Sequence, residues 1–252
     1  MLKIRVIPTL LWKGQGLMKG EAFNSWRLVG SAQQAVKVFC MREVDELVLL
    51  DIAATAEKRL PDIEIVDELA DDCFVPFSVG GGIRTLDDVT RLLRAGADKV
   101  VVNTAAVERN AIVREIASRF GSQCAVVSID AKQHPDRTYE VFIHCGTVPT
   151  GLSPVEHALR VEALGAGEIL LTSIERDGTM TGYDVELTRQ VVDAVKIPVI
   201  ASGGCGTYAH MADVLSQGGA SAVAASAMFQ FTQQTPREAK QYLQRHGFPV
   251  RI

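Results

Sequence analysis

The chain has 252 residues, with 26 basic and 30 acidic side chains and a formal net charge of −4, so it lacks the basic excess of a general nucleic-acid binder. Its 47% hydrophobic content fits a soluble globular protein, its length fits one large α/β barrel, and no apolar run reaches the roughly 18 residues that a membrane span needs. The opening MLKIRVIPTLLWKGQG has no long apolar core and no small-residue cleavage site, so a first strand and a cytoplasmic location are expected.

Eight short apolar or β-branched runs follow in order: IRVIPTLL, ELVLLDI, VPFSVG, KVVVN, CAVVSID, EILLTSI, IPVIAS and SAVAAS. Segments of helical period lie between them at 58–72, 85–95, 107–119, 153–164, 184–195 and 207–216, with a last one at 236–246. Such alternation predicts βαβ units and a parallel sheet, and eight strands close into a single (β/α)8 TIM barrel. After the fifth strand the pattern turns polar and then reads TYEVFIHCG, which predicts a short hairpin inserted between 131 and 147 at the C-terminal face. The five cysteines, Cys40, Cys73, Cys124, Cys145 and Cys205, contain no CxxC pair, so neither a disulfide framework nor a metal site is expected.

The two halves match at one spacing. VPFSVGGGIR (75–84) lies over IPVIASGGCG (197–206), KVVVNTAA (99–106) over SAVAASAM (221–228), Glu46 over Glu168 and Gly96 over Gly218, every pair 122 residues apart. A constant offset across separate blocks predicts a duplicated barrel with half-barrels at about 1–122 and 123–252.

Chemistry concentrates at strand ends. In each half a strand closes on Gly-Gly (Gly81, Gly82; Gly203, Gly204) and the next closes on Asn103-Thr104 or Ala225-Ser226. Glycine lets backbone amides approach a phosphate closely, although glycines also serve plain tight turns. Their recurrence favours two phosphate cradles and hence a bisphosphorylated small-molecule substrate. Asp130, ending VVSID, should point into the barrel mouth as an acid or base; capping of the following loop is the bland alternative. Asp177, in SIERDGTMTGYD, is a second polar candidate beside Thr172, and its Asp-Gly also signals an ordinary turn. Through the repeat Leu11 falls opposite Asp130, and leucine moves no proton. Arg5, Glu46, Lys99 and Glu168 stand at strand starts with alternating sign, which permits a ring of ion pairs across the opposite end; wet, charged strand ends would look the same.

On DELVLLDI, SVGGGI, GADKVVVNTAAV, FGSQCAVVSIDAK, GAGEILLTSIERDGTMTGYD and IPVIASGGCG the whole chain, residues 1–252, resembles the cyclase (HisF) subunit of imidazole glycerol phosphate synthase. The resemblance implies a ribulose-phosphate-binding barrel, a glutaminase partner docked on the N-terminal face to form a heterodimer, and ammonia passing along the axis. That ammonia would condense with a bisphosphorylated ribulosyl-aminoimidazole substrate to give imidazole glycerol phosphate and an aminoimidazole carboxamide ribotide. No cofactor and no membrane or nucleic-acid partner is implied. The matching positions make Asp130 catalytic, Arg5, Glu46, Lys99 and Glu168 an ammonia gate, and Lys19, Gly81, Gly82, Asn103, Thr104, Thr172, Asp177, Gly178, Ser202, Gly203, Gly204, Ala225 and Ser226 the substrate site. The family has a second aspartate where this chain has Leu11, and PTLLWKGQGLMKG departs from the usual C-L-D-x-K-x-G-R, while Lys13 and Lys19 remain. In that departure the chain looks like a divergent branch of second-copy HisF-like proteins associated with acetamidino modification of bacterial surface sugars. A non-catalytic ammonia-conducting scaffold is the competing reading of another class, and a sugar-phosphate isomerase fits less well.

Overall fold

The computed structural model describes residues 3–14 and 16–252. In chain order the elements are β1 (Arg5–Lys13), a hairpin of β2 (Gly16–Glu21) and β3 (Asn24–Gly30), α1 (Ala32–Met41), β4 (Leu47–Asp51), α2 (Ile63–Asp71), β5 (Phe77–Gly80), α3 (Leu86–Arg94), β6 (Lys99–Val102), α4 (Thr104–Glu108) and α5 (Ala111–Phe120). Then come β7 (Ala125–Gln133), β8 (Tyr139–Ile143), β9 (Val148–Pro149), α6 (Pro154–Ala163), β10 (Glu168–Ser173), α7 (Val185–Ala194), β11 (Val199–Ser202), α8 (Tyr208–Ser216), β12 (Ala222–Ala225), α9 (Ala227–Phe231) and α10 (Pro236–Arg245). Strands β1, β4, β5, β6, β7, β10, β11 and β12 pair in that order, all parallel, and β12 returns to β1. The sheet is therefore a closed (β/α)8 barrel without an open edge.

Alternate strand residues face opposite sides, which divides the apolar interior in two. The larger cluster, including Val6, Leu10, Leu49, Val79, Val127, Ile169 and Val223, lies on the outward face of the strands against helix residues such as Val36, Val89, Val113, Val161 and Val191. A separate cluster of Ile7, Val48, Val101, Val126, Leu170, Ile200, Ala222 and Ala224 fills the barrel axis. Two backbone contacts keep the 122-residue spacing of the sequence. Leu47 N–H donates to Pro76 O at 3.0 Å and Ile169 N–H to Pro198 O at 2.9 Å, partners that are again 122 residues apart. Leu11 pairs with Leu50 on β4, as Asp130 pairs with Thr172 on β10, so Leu11 occupies the position across the barrel that corresponds to Asp130.

Several boundaries differ from expectation. The helix expected over 58–72 begins only at Ile63, because Pro61 stands just before it and the Asp62 carboxylate caps the Glu64 N–H at 3.0 Å. The helix expected over 107–119 is two helices, α4 and α5, broken at Arg109 and Asn110, with C-cap Arg109 at φ −139°. Helix α1, which buries Ala32, Val36 and Phe39, was not singled out by the sequence pattern. The hairpin after the fifth barrel strand is present as β8 and β9. A second hairpin, β2 and β3, was not expected; it folds back from β1 at the same end of the barrel. Among the described residues no helix is long and apolar enough to cross a membrane.

Candidate functional site

A cavity of about 480 Å³ opens at the C-terminal ends of the barrel strands. Every residue expected at the mouth lines it: Asp130, Lys19, Gly81, Gly82, Asn103, Thr104, Thr172, Asp177, Gly178, Ser202, Gly203, Gly204, Ala225 and Ser226. The two glycine turns are steric necessities. Gly82 has φ +66°, and a Cβ there would lie 1.8 Å from the Arg59 carbonyl oxygen; Gly204 has φ +102°, and its Cβ would meet the Gly182 carbonyl oxygen at 2.2 Å. Any larger residue would push the loops out of the cavity.

Asp130 ends the inward row of β7 and is buried. Ser128 Oγ donates to its Oδ1 at 3.1 Å, and Asn103 Nδ2 donates to its Oδ2 at 3.2 Å. Burial pushes its pKa up to about 7, helped by the nearby Asp177 charge and opposed by the hydroxyls of Ser128 and Thr172. A carboxyl poised there exchanges a proton at neutral pH. Asp177 is raised as well, again by burial, with the Lys19 ammonium pulling the other way. Lys19 is itself brought down to about 8, first by its burial, with the Asp177 charge opposing. Its Nζ donates to Ser226 Oγ, and that hydroxyl donates to the Thr9 carbonyl, so β2 is tied to the second glycine half of the mouth. The carboxyl groups thus gather on the flank of β7 and β10, while the β1 flank presents Thr9, Leu11 and the Lys19 ammonium.

The sequence did not flag three further features of the cavity. Asp51 ends β4, accepts the N–H groups of Ala53 and Ala54 at 3.0 Å each, and holds Arg59 Nη1 at 2.5 Å. Its lone pairs are committed to shaping the loop, which leaves it poorly suited to proton transfer. Phe23 and Trp26, from the unexpected hairpin, also line the cavity with ring centroids 6.5 Å apart. Cys145 reaches the same space, its Sγ donating to Ile52 O at 3.0 Å, and burial pushes its thiol up to about 11. The repeat carried the only signal for the hairpin, since a second hairpin after the first strand mirrors the one after the fifth.

At the opposite end Arg5, Glu46, Lys99 and Glu168 form a closed ring. Arg5 Nη1 lies 2.7 Å from Glu46 and 2.9 Å from Glu168, and Lys99 Nζ lies 3.0 Å from each of the same carboxylates. Glu46 is 1% exposed and also accepts Ser78 Oγ at 2.8 Å. Two cations and two anions in alternation satisfy each other across the axis. The apolar layer of Ile7, Val48, Val101, Leu170, Ile200 and Ala224 separates this ring from the cavity.

The family model described as histidine biosynthesis protein matches residues 5–234. The chain belongs to the histidine biosynthesis protein family. This is a family of barrel enzymes of the isomerase and cyclase types, and the match spans both glycine turns, Asp130 and all four residues of the ring.

Proposed function

We propose that this chain is a cyclase-type (HisF) subunit of imidazole glycerol phosphate synthase architecture. It takes ammonia from a glutaminase at the ringed end and holds a bisphosphorylated ribulosyl-aminoimidazole ligand across the two glycine turns. One observation carries the reading: a closed barrel joins an ion-paired ring at one end to a cavity with two glycine turns at the other through an apolar axis. The exposed Met41 and Phe74 support a partner at the ringed end, because both precede strands that start there. Arg5, Glu46, Lys99 and Glu168 act as the ammonia gate. Gly81, Gly82, Gly203 and Gly204 let backbone amides approach the phosphates, and Asp130 exchanges the proton.

Leu11 makes ring closure slow in this reading. A carboxyl for proton transfer is available on the β7 and β10 flank alone, and loss of one acid/base group costs on the order of 10²–10⁴ in rate. The same observation favours a second role, in which the barrel and its glutaminase supply ammonia to the amidination of a bacterial surface sugar. Purified chain with the bisphosphorylated ligand and ammonium salt separates the two. Wild type should bind the ligand yet turn over well below about 1 per second, and Leu11→Asp should raise the rate at least about tenfold. Full wild-type turnover would refute slow ring closure. Absence of ligand binding would sink the whole assignment.

A further inference from the structure

On six barrel strands the inward residue two positions beyond the apolar layer is polar: Ile7 gives way to Thr9, Val101 to Asn103, Val126 to Ser128, Leu170 to Thr172, Ile200 to Ser202 and Ala224 to Ser226. A small molecule leaving the axis meets this row before anything else in the cavity. Half of the row is already engaged: Ser128 and Asn103 donate to Asp130, and Ser226 donates to the Thr9 carbonyl. Of the other three, Thr9, Thr172 and Ser202, Thr9 stands apart. Its side chain lines the cavity, the residue is only 7% exposed, and Oγ1 has no hydrogen-bond partner among the described residues.

The repeat explains why. Ser128 spends its hydroxyl on the carboxylate two residues further along the same strand face, and the corresponding step from Thr9 ends at Leu11, which accepts nothing. A buried hydroxyl left unmatched costs about 1–3 kcal/mol, which a ligand atom placed there would recover.

We propose that Thr9 Oγ1 is an ammonia subsite at the exit of the apolar axis, donating its hydroxyl hydrogen to the nitrogen lone pair. The inference rests on the reading of the barrel as an ammonia conduit. A neutral molecule small enough to cross the layer of Ile7, Val48, Val101 and Leu170 arrives with one lone pair and three N–H groups, and the buried, unpartnered hydroxyl of Thr9 matches the lone pair. Leu11 beside it offers no competing polar group. Thr9 therefore holds ammonia on the β1 flank, across the barrel from Asp130.

The test uses the full chain and [15N]ammonium chloride at pH 8.5, reading the 15N relaxation of ammonium as protein is added. Wild type and Thr9→Ser should both enhance relaxation, and the near-isosteric Thr9→Val should bind about five- to tenfold more weakly with a melting temperature no lower than that of wild type. Equal enhancement by Thr9→Val, or none by wild type, overturns the subsite. In ammonia-driven turnover Thr9→Val should raise KM for ammonium and leave kcat at saturation in place. A wild type without ammonia-driven turnover would instead count against ring closure by this chain and not against the conduit, while the relaxation measurement still decides whether Thr9 binds. Should Thr9→Val weaken only the bisphosphorylated ligand, the hydroxyl serves that ligand and the proposal fails.

Discussion

At Asp130 burial couples the stability of the barrel to pH. Its carboxyl has an ordinary pKa of 3.8 in the unfolded chain and about 7 in the barrel, so the folded state keeps a proton that the unfolded state has released. For an acid raised in this way the favourable contribution is complete below pH 4 and is lost as pH climbs through 7. Asp130→Asn should therefore melt at the same temperature as wild type near pH 4 and several degrees higher at pH 8, a gain on the order of 1–3 kcal/mol. A difference that does not change with pH would show that the carboxyl is not titrating in this range. Asp130 was legible in the sequence because it ends an apolar strand run, where a carboxylate has no ordinary reason to be. Thr9 and Asp51 were not. A threonine in a strand is unremarkable by composition, and its significance comes from Leu11 two residues on. Asp51 also ends a strand, but it is occupied by the backbone of its own loop and by Arg59, neither of which a strand pattern announces.

Among the elements, those with regular period and proper caps were legible and the β2–β3 hairpin was not. Helix α3 begins with the Thr85 and Asp88 capping box, and α6 with Ser153, Pro154 and Glu156, so both starts could be placed from residue types. The hairpin turn has no such signal. Glu21 pairs with Asn24, and the two residues between, Ala22 and Phe23, have φ of +48° and +60° where Asn-Gly would be usual. Tertiary contacts hold the turn instead. Ala22 N–H donates to Asp177 O at 2.8 Å, Arg27 lies 4.4 Å over the Phe231 ring, and Lys19 reaches Ser226. The left-handed backbone at Ala22 is thus imposed by its docking onto the mouth. Ala22→Gly should relieve about 1 kcal/mol and raise the melting temperature by roughly 2–4 °C, since glycine takes positive φ without the Cβ clash. A lower melting temperature would mean that the Ala22 methyl contributes packing that outweighs the strain.

At the scale of the whole barrel, the ring ties the two repeats together. Arg5 and Glu46 come from the first half, Lys99 also from the first, and Glu168 from the second, so its four ion pairs link β1, β4, β6 and β10 across the axis. The four positions were readable as charges at strand starts. Their closure was not, because it depends on side chains meeting across an axis that exists only once β12 has returned to β1. The pairs are worth little individually beyond what they cost to desolvate, but removing one partner strands the others. Lys99→Met would leave Glu46, buried and held by Ser78, and Glu168 sharing Arg5 alone, and the expected loss is about 3–5 kcal/mol in unfolding free energy. Adding Glu46→Gln removes the stranded charge and should return part of that loss. The double-mutant cycle for Lys99→Met and Glu46→Gln, measured by denaturant unfolding, should therefore give a coupling of about 1–3 kcal/mol. Additive losses within about 0.5 kcal/mol would mean that water already screens the two side chains, and the end of the barrel would then be an open, wet rim and not a plug.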